Sequence, residues 1–178
     1  MPWAGFLIQK KVIAQILKIK KRKDKKFTII AADYNQVKKN FKLNSLQKKL
    51  AKKYWPGPLS LVVSPRFAVR VPKNKIARTL AQLSGKPLVA TSANISGEST
   101  LYDSKKIIQQ FTPHLFSGNR KRMISMPKKG AGFENKKNQP DMIIDSGSLK
   151  KTKTSTVVKA FNKQVEVLRQ GAVRLKLF

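Results

Sequence analysis

Apolar positions along the first half of the chain fall into a helical period, then into short runs, then into a helical period again. Ile8, Val12, Ile13, Ile16 and Leu17 form one stripe, which predicts a helix from Ile8 to about Lys21. The run Phe27-Thr28-Ile29-Ile30-Ala31 predicts a strand. Asp33 can cap a short helix reaching Lys39. A further helix from Ser45 to Tyr54 turns Leu46 and Leu50 inward and stops at Trp55-Pro56-Gly57-Pro58, because neither proline can continue it. Strands follow at Leu59–Val63 and Phe67–Val71, joined by the tight Ser64-Pro65-Arg66 connection. Lys75 to Ser84 predicts an amphipathic helix carrying Ile76, Leu80 and Leu83, closed by Gly85 in the C′ position.

The next stretch, from Gly85 to Gly97, holds an apolar run between Gly-Lys-Pro and Ser-Gly, the pattern of a buried strand. Thr91-Ser92-Ala93-Asn94 then sits just past the strand's carboxyl end, where open α/β sheets bind their ligands. Asp103 caps a predicted helix reaching Phe111, with Ile107 and Ile108 buried. Gly118 to Gln139 is basic and rich in Gly, Asn and Lys, an exposed connection. Met142 to Gly147 reads as a strand and turn. The pattern as a whole predicts an α/β fold in a single domain over 1–178.

Composition narrows the chemistry. The absence of cysteine excludes disulfides, thiolate metal sites and cysteine nucleophiles. One histidine, His114 after Pro113, excludes two-histidine zinc motifs and reads as a surface or turn residue. No apolar run approaches the ~18 residues a bilayer span needs, and Met1 to Ile8 lacks the basic start of a signal peptide. A cytoplasmic protein without a membrane partner is expected. The net charge of +31, from 39 basic and 8 acidic residues, admits two readings. It can serve a polyanionic partner, or it can be a lysine coat on solvent faces. Arg, the residue favoured for bidentate phosphate recognition, contributes only eight of the cations.

Some cations are placed where a solvated coat does not explain them. Arg70 stands between Val69 and Val71 in a half-buried strand, and a charge there requires an anion or a carboxylate. With so few acids in the chain, an anionic ligand is the expected partner. Lys18 to Lys26 forms a cluster before the Phe27 strand, where a helix dipole favours cations at that end. The hydroxyls and amide of Thr91, Ser92 and Asn94 suit close approach of backbone N–H groups to a phosphate. Trp55 is expected as a core plug with its indole N–H satisfied at the turn.

Taken together, Trp55-Pro56-Gly57-Pro58-Leu59-Ser60, Ala68-Val69-Arg70-Val71-Pro72 and Ser92-Ala93-Asn94 resemble, in order and spacing, the YrdC-like family of threonylcarbamoyl-AMP synthases. Lys20-Lys21-Arg22 followed by Lys25 or Lys26 is similar to the family's Lys-x-Arg element and its second Lys. Ile143-Ile144-Asp145-Ser146-Gly147, Ser155-Thr156-Val157-Val158 and Val167-Leu168-Arg169-Gln170-Gly171-Ala172 resemble three further family segments. The resemblance covers about Lys11 to Ala172. It departs from the family pattern in lacking the Pro after Arg22, in Ser60 standing for Thr, and in a shortened connection at Ser64–Arg66. The family's Pro-Thr-x-Thr segment is also not found, so a domain truncated at its N-terminal side is expected.

The resemblance implies a twisted mixed sheet with surrounding helices and a large basic cavity. It implies a nucleotidyltransferase that forms threonylcarbamoyl-AMP and pyrophosphate from L-threonine, bicarbonate and ATP. The product would pass to threonylcarbamoyl transferase machinery that modifies tRNA. Lys20 and Arg22 would be catalytic, holding phosphates and developing negative charge. Lys25, Ser60, Arg70, Thr91, Ser92, Asn94, Ser155 and Arg169 would bind ATP or the other substrates. Mg²⁺ would arrive on ATP, with no protein-bound metal. The alternative is a non-catalytic protein of this fold that binds tRNA or double-stranded RNA, or an inactive remnant.

Overall fold

In the computed structural model, residues 10–111, 140–143, 145, 147–161 and 164–176 are described. Their elements run α1 (Lys10–Ile19), β1 (Phe27–Ile30), α2 (Tyr34–Asn40), α3 (Ser45–Tyr54), β2 (Leu59–Ser64), β3 (Phe67–Arg70), α4 (Lys75–Leu83), β4 (Leu88–Ala90), α5 (Ser104–Phe111), β5 (Thr156–Phe161) and β6 (Gln164–Arg169). The strands form one open six-stranded sheet in the order β4-β1-β3-β2-β5-β6. β1 with β3 and β2 with β5 are parallel, while the remaining neighbours are antiparallel. This is the mixed α/β sheet the sequence predicts.

The chain divides into two compact units. One lies within Lys25–Thr91 and Thr152–Phe178 and holds the whole sheet with α2, α3 and α4. The other lies within Gln9–Asp24 and Ser92–Lys151 and holds α1 and α5.

In the sheet unit, alternation along the strands decides which side is covered. Ile29, Leu59, Leu61, Val69, Val71 and Val158 are buried with Val37 and Phe41 of the α2 segment and Leu50 and Ala51 of α3. Helices α2 and α3 therefore pack on one face. Their ends are fixed by side chains. Asp33 Oδ1 accepts from Gln36 N at 2.7 Å, as the cap reading expects. A capping box pairs Asn44 with Gln47, and Gln47 Nε2 also donates to Val62 O at 2.9 Å, tying α3 to β2. The Trp55 indole N–H donates to Leu59 O at 2.7 Å across the Pro-Gly-Pro turn, and the ring packs against the core.

Several elements differ from the sequence reading. β4 is a half-buried edge strand rather than a buried one, because only β1 pairs with it. Helix α4 forms as predicted and Gly85 takes φ +67 beyond its end. Yet Ile76 and Leu83 are 61% and 79% exposed, and Ala81 is the buried residue. The small side chain lets the helix come close, with Gln36 Nε2 donating to Ala81 O at 2.8 Å. In α5, Ile107 and Ile108 are half-buried rather than buried. Met142, Ile143, Asp145 and Gly147 lie in no strand; Met142 is exposed, and Asp145 Oδ1 accepts from Gly147 N at 2.8 Å in a turn where Gly147 has φ +75. Ile8, His114, the 118–139 connection, Ile144 and Ser146 lie outside the described residues.

Leu50→Ala is expected to lower unfolding free energy by about 2–5 kcal/mol in urea denaturation, because Leu50 is fully buried among α2, α3 and the sheet. Leu83→Ala, at a solvent-facing position, is expected to stay within about 0.5 kcal/mol of the parent.

Candidate anion-binding site

Strand register assembles one row of polar side chains on the sheet face opposite the α2–α3 core. The pair Leu61↔Val69 places Ser60 of β2 opposite Arg70 of β3. Leu59↔Thr156 places Ser155 at the entrance of β5, and Val157↔Arg169 brings in β6. Each residue alternates with a core-facing neighbour, so Ser60, Arg70, Ser155 and Arg169 share a face. Their contacts agree. Ser60 Oγ and Ser155 Oγ are 2.9 Å apart, and both residues are buried. Arg169 Nη2 donates to Ser155 O at 2.8 Å and to Ser155 Oγ at 3.2 Å, while Nε donates to Ser155 O at 3.2 Å.

Two residues that the sequence reading did not single out hold this arrangement. Thr156 is fully buried and its Oγ1 donates to Val173 O at 2.6 Å. The same oxygen accepts from Gly171 N at 3.0 Å and from Val173 N at 3.3 Å. A Cβ at Gly171 would lie within 2.5 Å of Thr154 O, Ser155 C and Thr156 N, so only glycine lets the chain after β6 lie against β5. The available signal was a threonine opening a Val-Val strand and a glycine two residues after the site arginine.

Arg70 is the electrostatic centre. It is half-buried, its Nε is buried without a hydrogen-bond partner among the described residues, and it has no ion pair among them. Burial, and next the charge of Arg169, hold its pKa below the ordinary arginine value. Arg70 and Arg169 thus lie on one sheet face with the buried hydroxyls of Ser60 and Ser155 between their strands, and both stay charged, since a guanidinium does not lose its proton in a protein.

The other unit organises a second set. Lys20 is buried, and its Nζ donates to Ser92 O, Asn94 O and, at 3.3 Å, Asn94 Oδ1. Those acceptors use all three of its donors. Lys20 O accepts from Ser96 N at 2.8 Å. Burial, and next the charge of Arg22, lower the Lys20 pKa. Asn94 Nδ2 donates to Ile95 O and Glu98 O at 3.0 and 2.6 Å. Gln110 of α5 accepts from Ile95 N at 3.2 Å and donates to Glu98 Oε2. Arg22 pairs with Asp24 at 3.1 Å. Lys20 thus pins the Ser92–Asn94 loop that the sequence marks as a ligand crevice. Ser92 and Thr91 are exposed there, and Lys25 is exposed just before β1. Among the described residues no group of three or more His, Asp or Glu gathers, and no helix is long and apolar enough to cross a membrane.

The profile of the Sua5, YciO and YrdC proteins, described as "Telomere recombination", matches residues 6–117. The chain belongs to the Sua5/YciO/YrdC family. It is 25% identical over 181 residues to a Methanocaldococcus jannaschii protein provisionally named a threonylcarbamoyl-AMP synthase, covering 95% of this chain and 74% of the relative. Identity is 31% over 122 residues to the threonylcarbamoyl-AMP synthase of Yersinia pestis, covering 59% of this chain and 64% of the relative. The crystal structure of P. abyssi Sua5 complexed with L-threonine superposes with a TM-score of 0.68 at 27% identity, over 92% of this chain. The chain spans only 45% of that Sua5 and 64% of the Yersinia synthase.

Thr156→Val keeps the side-chain shape but leaves Gly171 N, Val173 N and Val173 O without their shared partner. A loss of about 1–3 kcal/mol in urea denaturation is expected.

Proposed function

We propose that the chain is a threonylcarbamoyl-AMP synthase acting on L-threonine, bicarbonate and ATP. The reading rests on one observation above all: Arg70 stands in a strand with no ion pair among the described residues, on the same sheet face as Ser60, Ser155 and Arg169. Family membership and relatives named as synthases agree with it.

In this reading the threonine amine attacks the bicarbonate carbon, forming an N–C bond as water leaves, and a carbamate results. A carbamate oxygen then attacks the α-phosphorus of ATP; the new O–P bond forms as the bond to the β-phosphate oxygen breaks, and pyrophosphate departs. Every reactant carries negative charge, so the protein's task is to position anions against one another and offset their repulsion. Arg70 takes the threonine carboxylate or the charge nearest it. Arg169, Ser60 and Ser155 bind ATP or the adenylate, as do Thr91, Ser92 and Asn94. Lys20 serves as pin of the Ser92–Asn94 loop and as fixed positive charge, with Arg22 and Lys25 adding to the field. Mg²⁺ enters with ATP as part of the substrate. Threonylcarbamoyl-AMP, a reactive mixed anhydride, then passes to a transferase acting on tRNA.

Purified protein given threonine, bicarbonate and ATP is expected to release pyrophosphate, with release dependent on each substrate. Arg70→Gln is expected to lower kcat/KM by roughly 10- to 100-fold, the range for removing a hydrogen bond to a charged group. Lys105→Gln, at an exposed position of α5, is expected to leave it unchanged. Pyrophosphate release no faster than without protein would overturn the synthase reading.

A further inference from the structure

The segment that follows β4 is gripped by side chains from two helical elements of its own unit. From the end of α1, Lys20 Nζ donates to Ser92 O and Asn94 O. From the last turn of α5, Gln110 Oε1 accepts from Ile95 N at 3.2 Å, and Gln110 Nε2 donates to Glu98 Oε2. Asn94 O and Ile95 N are the two ends of one planar peptide. Lys20 holds that peptide by its carbonyl and Gln110 by its N–H, so its plane cannot turn without breaking one of the two bonds. Glu98 N donates to Ile95 O at 3.1 Å and closes a turn in which Gly97 has φ +89. Gln110 therefore touches both the first and the last residue of the turn that follows Ser92-Ala93-Asn94.

The residue type suits this task. The Ile95 N–H requires an acceptor and the Glu98 carboxylate a donor, and a primary amide supplies both from one head group. A carboxylate at position 110 would supply only the acceptor, and an ammonium only the donor. Gln109, with the same side chain, is exposed, whereas Gln110 is half-buried. The helix that carries Gln110 is anchored at its other end. Asp103 Oδ1 accepts from Lys106 N at 3.1 Å, and Asp103 Oδ2 accepts from Ser148 Oγ at 3.1 Å. Leu149 N donates to Tyr102 O at 2.7 Å beside them. Helix α5 is thus a fixed arm, and Gln110 transmits its position to the loop.

We propose that Gln110 is a positioning residue for nucleotide binding: opposite Lys20 it fixes the Asn94–Ile95 peptide, and with it the place of Ser92 and Asn94 against ATP or the adenylate. The inference rests on the reading of that loop as part of the nucleotide site. Its test exchanges the Gln110 and Glu98 head groups. ATP affinity is measured by calorimetry, and kcat with KM for ATP and threonine by pyrophosphate release. Gln110→Glu sets two carboxylates against each other, and Gln110→Met removes both bonds without adding charge. Each is expected to weaken ATP binding and raise the ATP KM by roughly 3- to 10-fold, the equivalent of one ordinary hydrogen bond, with the threonine KM unchanged. Glu98→Gln keeps an acceptor for the Gln110 amide, and E98Q/Q110E restores both bonds with donor and acceptor exchanged. Both are expected to stay within about twofold of the parent, as is Gln109→Glu, which adds the same charge at the exposed neighbour. Parental affinity in both Gln110 variants would overturn the inference, as would a swap that does not rescue Q110E. A loss in Q109E equal to that in Q110E, a threonine KM that rises in step with the ATP KM, or a parent that binds no ATP would also overturn it. Calorimetry needs no turnover, so the two readings separate. The swap pattern in a protein that releases no pyrophosphate would sink the synthase reading alone, and turnover without the pattern would sink this inference alone.

Discussion

Arg70 and Arg169, on one face of the sheet and with no ion pair to either among the described residues, are the constraint around which the sheet unit is arranged. Arg70 leaves β3 between Val69 and Val71, both buried, so its position cannot relax without moving the core. Arg169 is held from the other side by the Ser155 carbonyl and hydroxyl. Ser155 in turn bonds Ser60, and the adjacent Thr156 fixes the chain that follows Arg169. Arg169 is exposed, so the unfavourable charge falls on half-buried Arg70, where burial and next the charge of Arg169 oppose the ionised form. The arrangement is retained by hydrophobic packing on the opposite face; in the proposed function an anion converts the repulsion into shared attraction.

Much of this fold was legible in the sequence, for reasons that differ between elements. The bounds of α3 follow from a hydrophobic repeat meeting Pro56, and the α2 cap from a single Asp, so both are local effects. Arg70 was legible because a charge inside an apolar strand needs an explanation wherever the strand lies. The exposure of β4 was not legible, since being at an edge is a property of strand order rather than of Leu88–Ala90. The outward direction of the α4 stripe was not legible for a related reason. Helical period shows which residues share a face but not which face finds the sheet, and Ala81 permitted the closer approach. The roles of Thr156 and Gly171 depend on contacts about fifteen residues apart in sequence, which no local pattern encodes.

Lysine serves two distinct purposes in the described residues, and some lysines fit neither. Lys20 is buried and saturated with carbonyl oxygens, which makes it a structural pin for the loop that the sequence marks as a crevice. The cations in the last turns of α2 and α3 satisfy helix carboxyl ends. The first-half lysines of α3 fit neither purpose. A net charge of +31 is therefore not one property with one explanation.

The most direct test of the central claim is a double-mutant cycle on Arg70 and Arg169, using Arg70→Gln, Arg169→Gln and the double variant. Each would be unfolded in urea with and without saturating inorganic pyrophosphate. The account predicts an unfavourable coupling between the two arginines in the free protein and a favourable one with pyrophosphate, with magnitudes of about 0.5–3 kcal/mol. A coupling that is zero in both conditions, or that pyrophosphate leaves unchanged, would contradict it.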